Sequence, residues 1–163
     1  MNNVIMNVRP YQLLDQGSVN SLISTIQREE YGIPIRVEDQ PDLSDIPNFY
    51  QKGSGNFWVA MAPEVVGTIA LLDIGNQQVA LRKMFVREDF RGRATGAAQK
   101  LLGTALDWAK GKGIHEVLLG TTAQFLAAHR FYEKNGFELI NKGDLPSTFP
   151  VMSVDTRFYR KLL

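Results

Sequence analysis

The chain has 163 residues, near the usual size of one domain, and its 44% apolar and 21% charged composition excludes a disordered, fibrous or coiled-coil protein. Eighteen Lys and Arg against 17 Asp and Glu leave a net charge of +1, without the basic excess of a protein that binds nucleic acid directly. The absence of cysteine removes disulfides, thiolate metal sites and cysteine nucleophiles, and the separation of His115 from His129 argues against a histidine-built metal site, so no metal is expected.

The N-terminus MNNVIMNVRP lacks a basic flank before a long apolar run, and no stretch of about 18 apolar residues occurs, so a cytoplasmic chain without membrane contact is expected. No linker or fixed-period repeat divides the chain, and 1–163 is read as a single domain. Val4 to Val8 alternate weakly as a first strand. Gly17 to Glu30 carry Val19, Leu22, Ile23 and Ile26 at helical spacing. Pro34, Pro41 and Pro47 interrupt IPIRVEDQPDLSDIPNFYQKGSG, which reads as an irregular loop with at most a short helix before the Gly53 to Gly55 turn. Phe57 to Met61, Val65 to Ile74 and Gln78 to Val86 read as three strands of an antiparallel meander, with turns at Pro63 and at Gly75-Asn76.

Beyond Val86 the period changes. Ala97, Leu101, Leu102, Ala105, Leu106 and Ala109 recur at three-and-four spacing and predict a helix that ends at Gly111 or Gly113. Ile114 to Gly120 is a short apolar strand of the buried kind, and Gln124 to Asn135 a second helix stopped by Gly136. Phe137 to Ile140 and the alternating Val151 to Leu162 complete the sheet. The expected fold is α+β, with a mixed, mostly antiparallel central sheet covered by helices on both faces.

Charge is distributed unevenly. Residues 28–45 hold six acids against two bases, and residues 82–93 hold five bases against two acids. These are either two solvated faces or the charged walls of a site. The junction VREDFRGRATGAA, between the third meander strand and the long helix, is the informative spot. Gly92 and Gly96, flanked by arginines, lead into a helix N-terminus, where free amides and the positive end of the dipole make an anion site. The spacing fits neither a dinucleotide fingerprint nor a Walker loop, so the junction is either a phosphate cradle of another kind or only a tight turn.

The strand end Met84-Phe85-Val86, followed by Arg91-Gly92-Arg93-Ala94-Thr95-Gly96, resembles the GNAT superfamily of acetyl-CoA-dependent N-acetyltransferases, whose signature there is Arg or Gln, two residues, Gly, one residue, then Gly or Ala. Ala94 stands where the first signature glycine normally is. The resemblance continues in AAHRFYEKNGFELI and runs from about Val66 to Ile140, in the family's order. It implies the GNAT-like acyl-CoA N-acyltransferase fold, with a cofactor-binding core over about 66–140 and a variable acceptor-side region over about 28–56.

The same resemblance implies direct transfer of an acetyl group from acetyl-CoA to a primary amine in a ternary complex. The backbone of Met84, Phe85 and Val86 would meet the pantetheine and the thioester carbonyl. The loop Arg91, Gly92, Arg93, Ala94, Thr95, Gly96 and Ala97 would hold the pyrophosphate. Tyr132 falls at the general-acid position, and a phenol near pKa 10 keeps its proton at neutral pH. Phe125 stands where many members carry an Asn that contacts the cofactor arm, a role open to Thr121 or Thr122. Arg130 and Lys134 reach either the ribose phosphate or solvent, and His129 reads as structural.

No general base is legible. Alternation places one of Arg82 and Lys83 in the cleft and the other away from it. Arg82 would suit a substrate carboxylate or form a salt bridge within the strand. Asp39, Asp42, Asp45, Phe49 and Tyr50 lie where the family places its acceptor wall, and Asp42 and Tyr50 are taken as substrate contacts with Arg82. The expected acceptor is a small molecule bearing both amine and carboxylate, such as an amino acid. Two other readings stand beside this one: an acetyl-CoA-binding sensor with little transferase activity, and an accessory partner of a DNA-binding regulator. A homodimer through the C-terminal strands is compatible with the resemblance.

Overall fold

The computed structural model describes residues 5–163, so Val4 of the expected first strand lies outside the described residues. The sheet has seven strands: β1 (Asn7–Pro10), β2 (Asn56–Met61), β3 (Val65–Gly75), β4 (Gln78–Val86), β5 (Glu116–Thr121), β6 (Glu138–Ile140) and β7 (Arg157–Leu162). Their spatial order is β1-β2-β3-β4-β5-β7-β6, and β4 with β5 is the parallel pair in a sheet whose other neighbours are antiparallel. That pair needs a crossover, which the long helix α4 (Ala97–Gly111) supplies.

The central strands are buried on both faces, so successive side chains feed two cores. Trp58 and Ala60 of β2 pack with Leu101, Leu102 and Ala105 of α4. Phe57 and Val59 point the other way, to Val19, Leu22 and Ile23 of α1 (Gln16–Ser24). The mixed sheet with helices on both faces is the expected architecture. A smaller cluster of Leu118, Phe149 and Phe158 lies under the segment between β6 and β7. Helix α5 (Leu126–Lys134) closes the same face as α4 through Tyr132.

Four local expectations are corrected. The helix predicted over Gly17 to Glu30 ends as a π-helical stretch, Thr25–Glu30, with Tyr31 N–H bonded to Ile26 O at 3.1 Å. The extra residue in the turn carries Ile26, Gln27 and Tyr31 toward one cavity. The proline-rich loop contains two single-turn helices, α2 (Pro41–Ser44) and α3 (Ile46–Phe49), because Pro41 and Pro47 occupy first-turn positions where no amide hydrogen is required. The hairpin after β3 turns on Asn76 and Gln77, both left-handed at φ 53° and 59°, rather than on Gly75-Asn76. The last strand begins at Arg157, not Val151. Residues 152–155 form a turn in which Asp155 N–H bonds Met152 O at 3.0 Å and Met152 N–H bonds the Asp155 carboxylate at 2.9 Å.

Candidate active site

The parallel strands β4 and β5 pair only over Gln78 with Glu116, Val79 with Val117 and Ala80 with Leu118. Beyond that point both continue, β4 to Val86 and β5 to Thr121, so the sheet forks. The cause is a bulge in β4. Thr68 opposes Phe85 and Ala70 opposes Arg82, which leaves Lys83 and Met84 together facing Ile69. Lys83 takes the left-handed conformation at φ 51°, and the buried Thr68 hydroxyl pins it by donating to Lys83 O at 2.7 Å. A bulge of this kind bends and twists its strand, which turns the far half of β4 away from β5. A cavity of about 640 Å³ occupies the fork.

The bulge also cancels the alternation expected at Arg82 and Lys83, and both line the cavity. Lys83 Nζ donates to Gln40 Oε1 at 2.5 Å and lies 3.4 Å from Asp42 Oδ2. Burial pushes its ammonium below the ordinary lysine range, against the opposing pull of Asp42. Arg82 stacks its guanidinium over the rings of Phe49 and Tyr50, at 5.7 and 5.9 Å. Asp42 and Tyr50, expected as substrate contacts, are buried behind these two cations, and the Tyr50 hydroxyl donates to Asp42 Oδ2 at 2.5 Å. Neither lines the cavity. The other acids of that loop are also engaged locally, Asp39 with Arg36 and Asp45 as the cap of α3. The carboxylate that does line the cavity is Asp155, from the turn before β7. Burial raises its pKa, and the field of Arg82 works in the opposite direction.

At the other end of the fork the cavity reaches Val86, Arg91, Gly92 and Ala98. The amides of Arg93, Ala94, Thr95, Ala97, Ala98 and Gln99 make no hydrogen bond among the described residues. They lie in the loop and first turn of α4, where the helix dipole adds to them. Gly92 at φ 95° and Gly96 at φ 66° provide the two left-handed steps that wind this loop, whereas Ala94 has a negative φ and carries no such strain. Arg91 is a structural brace. It forms a bidentate pair with Glu30 and donates through Nε to Val86 O at 2.8 Å. The Thr95 hydroxyl turns inward to Phe90 O, and the Ala97 side chain is buried against the core. Arg93 is exposed and makes no ion pair among the described residues. Arg130 and Lys134 are exposed on α5 and lie outside the cavity lining.

Tyr132 lines the cavity at 5% exposure, and its hydroxyl makes no hydrogen bond among the described residues. Burial raises its pKa. Thr122 also lines the cavity, and its Oγ1 is a buried polar atom without a partner among the described residues. An unpartnered buried hydroxyl costs free energy, and the fold leaves Thr122 Oγ1 unsatisfied at the cavity wall. Phe125 reaches across the mouth to Tyr31, ring edge to face at 4.7 Å. His129 is buried with Nε2 2.8 Å from Thr122 O, so it fixes the end of β5 from behind.

The sequence reading had placed Met84, Phe85, Val86, Thr122 and Tyr132 at the site, and the fork brings them together with Arg82. It missed Gln27, Tyr31, Gln40 and Asp155. A glutamine carries no catalytic signature, and Asp155 lay inside a segment read as strand.

Residues 21–137 match the model of the acetyltransferase (GNAT) family. N-acetylaspartate synthetase of Xenopus tropicalis is 40% identical over 102 residues, which cover 60% of this chain and 36% of the synthetase. The chain thus spans about a third of the length of that curated relative. An acetyltransferase of the GNAT family from Staphylococcus aureus Mu50 is 38% identical and superposes with a TM-score of 0.92, covering 97% of this chain and 99% of that one. N-acetylglutamate synthase from Neisseria gonorrhoeae, solved with coenzyme A and N-acetyl-glutamate, shares the fold at 16% identity and a TM-score of 0.73, over 99% of this chain and 36% of that one.

Proposed function

The chain belongs to the acetyltransferase (GNAT) family, and we propose that it moves the acetyl group of acetyl-CoA directly to the amine of a small, carboxylate-bearing acceptor, an amino acid being the class that fits best. The carrying observation is the β4–β5 fork, whose cavity reaches the α4 N-terminus with its six amides unbonded among the described residues, carries Arg82 and Lys83 at the other end, and has the Tyr132 phenol on its wall.

The chemistry follows from these groups. Amides of 93–95 and 97–99 at the α4 N-terminus donate to the diphosphate of the cosubstrate, with the exposed Arg93 in the same loop. Gly92 allows the close backbone approach. The backbone of Met84, Phe85 and Val86, along the arm of β4 that β5 leaves, takes the pantetheine and polarises the thioester carbonyl. Tyr132 holds its proton for the departing sulfur. Arg82 meets the acceptor carboxylate, and Lys83, held by Gln40 and Asp42, adds its field from the same wall. The names of the relatives support the same acceptor class, since an aspartate and a glutamate acetylating enzyme are among them.

Thiol release from acetyl-CoA over a panel of amino acids, polyamines, aminoglycosides and peptides tests this reading. Release with amino acids, highest with those carrying a second carboxylate, is the expected outcome. Release only with polyamines or peptides overturns the acceptor class. Tight acetyl-CoA binding without release from any amine favours a sensor.

A further inference from the structure

The acceptor amine reaches a GNAT site chiefly as an ammonium at neutral pH, and an ammonium has no lone pair with which to attack. A proton acceptor on the cavity wall is therefore required, and the acidic loop does not supply one, because Asp39, Asp42 and Asp45 are all engaged elsewhere. We propose that Asp155 is the general base of the transfer and the carboxylate that receives the acceptor's ammonium. The proposal rests on the acetyltransferase reading above and goes beyond it in assigning the base.

Three observations carry it. Asp155 lines the same cavity as Arg82, Lys83 and Tyr132. Its position is fixed from two sides: Met152 N–H donates to Oδ2 at 2.9 Å, and Gly120 of β5 lies so close that a Cβ there would stand 2.6 Å from the same oxygen. Oδ1 makes no hydrogen bond among the described residues, so one oxygen is anchored and the other is free to accept. The groups facing Asp155 are few. From β4 comes the Arg82 guanidinium, with Lys83 already engaged by Gln40 and Asp42. From β5 comes Gly120, whose added Cβ would also stand 3.1 Å from the Phe158 ring of β7, and Arg157 turns away to Tyr159 and Glu133. Burial makes this carboxylate easier to protonate than one in water, against the Met152 N–H bond and the field of Arg82, which is the direction a base requires.

The placement suits an α-amino acid. Arg82 takes its carboxylate while Asp155 takes its ammonium, so both charges of the acceptor meet opposite charges on one wall. The proton passes from the ammonium to Asp155 and leaves a neutral amine. The nitrogen lone pair forms the bond to the acetyl carbon as the carbon–sulfur bond breaks, and that electron pair leaves on sulfur. Tyr132 gives its proton to the sulfur and recovers one from the acylated nitrogen. Asp155 returns its proton to solvent, so the net release is one proton per ammonium consumed.

The competing role for Asp155 is that of a turn former, and Asp155→Asn separates the two, because an amide oxygen still accepts from Met152 N–H while the base is lost. The test measures kcat and kcat/KM for thiol release against pH, with acetyl-CoA and the amino acid that the wild type uses fastest. Asp155→Asn is expected to lower kcat at pH 7 by about 10²-fold or more with the KM for acetyl-CoA within about twofold. Its rate should climb with pH toward the acceptor's own ionisation, and its melting temperature should stay near that of the wild type. Gly120→Ala gives the second arm: it leaves Asp155 in place chemically but displaces the carboxylate, and the same loss at pH 7 with partial recovery at high pH is expected. A wild-type pH profile retained by Asp155→Asn, with kcat within about threefold, overturns the assignment and leaves the acetyltransferase reading intact. A wild-type chain that releases thiol with no amino acid overturns the reading itself, and the assignment with it.

Discussion

The Lys83 ammonium lies 3.4 Å from the Asp42 carboxylate with both side chains less than a tenth exposed, at 8% and 6%. Asp42 is therefore held inside the fold against a cation and does not reach the cavity wall. Removing one member of such a pair strands the other in a poorly solvated place. Asp42→Ala is expected to destabilise the fold by about 3–5 kcal/mol. Lys83→Met should cost less, because Asp42 keeps the Tyr50 hydroxyl, and the double variant should fall short of the sum. Urea unfolding of the four proteins checks this, and additive costs would show that the pair is not coupled. The pH dependence has a definite sign. Burial lowers the lysine's pKa in the folded state, so as pH rises toward the ordinary 10.5 the unfolded chain still holds the proton that the folded chain has lost. Stability rises over that interval, and Lys83→Met should flatten the rise.

Tyr132→Phe removes a hydroxyl that bonds to nothing among the described residues, so the fold should lose almost nothing. The melting temperature is expected to stay put while kcat falls by about tenfold or more, with acetyl-CoA affinity unchanged. Because burial lifts the phenol above its ordinary 10, the wild type should show no loss of kcat from tyrosine ionisation up to about pH 10. A variant with wild-type kcat would remove Tyr132 from the chemistry.

Most of what was legible in the sequence came from period and from one loop. The strand runs separated by turns in β2 to β4, the three-and-four spacing of α4 and the glycines at 92 and 96 each express a local rule, and the structure follows all three. The acceptor end was not legible, for identifiable reasons. Alternation assumes a regular strand, and the bulge at Lys83 and Met84 redirects two side chains that no residue type in RKMFV betrays. The composition of the acidic loop revealed that carboxylates were present, but not that Tyr50 and Lys83 would consume Asp42 from within. The alternating Val151 to Leu162 segment looked like one strand because a turn closed by the Asp155 side chain carries no glycine or proline to mark its interior.

Ala94 offers a test of what the anion loop requires. Its negative φ means that a glycine there gains nothing in the folded loop and adds freedom to the unfolded chain. Ala94→Gly is expected to cost about 0.4–1 kcal/mol of stability and to leave the KM for acetyl-CoA unchanged. Gly96→Ala is the contrasting change. The space around Gly96 is open, with nothing within 4 Å of an added Cβ, so the penalty comes from φ 66° alone, about 1–2 kcal/mol. That strain bears on the residue that delivers the first amides of α4, and weaker acetyl-CoA binding by calorimetry is expected with it. A tighter cofactor complex in Ala94→Gly would mean that the alanine side chain, not the backbone, had been limiting the diphosphate.

Arg82 is the residue on which acceptor choice should turn. It stands on the cavity wall, with its guanidinium plane held against Phe49 and Tyr50 rather than by a carboxylate. A bidentate acceptor carboxylate would be its first strong partner. Losing a charge-assisted contact of that kind costs about 1.5–3 kcal/mol, or roughly a 10- to 150-fold rise in the acceptor KM. Arg82→Met, which keeps most of the apolar stem over the two rings, is expected to produce that rise for free amino acids and to leave acetyl-CoA affinity unaltered. Amines without a carboxylate should respond far less. Arg82→Lys keeps the charge but not the planar fork, and it should recover only part of the loss. Equal damage to acceptors with and without a carboxylate would assign Arg82 to holding the α3 wall in place through its stacking, and the acceptor's carboxylate would then fall to Lys83.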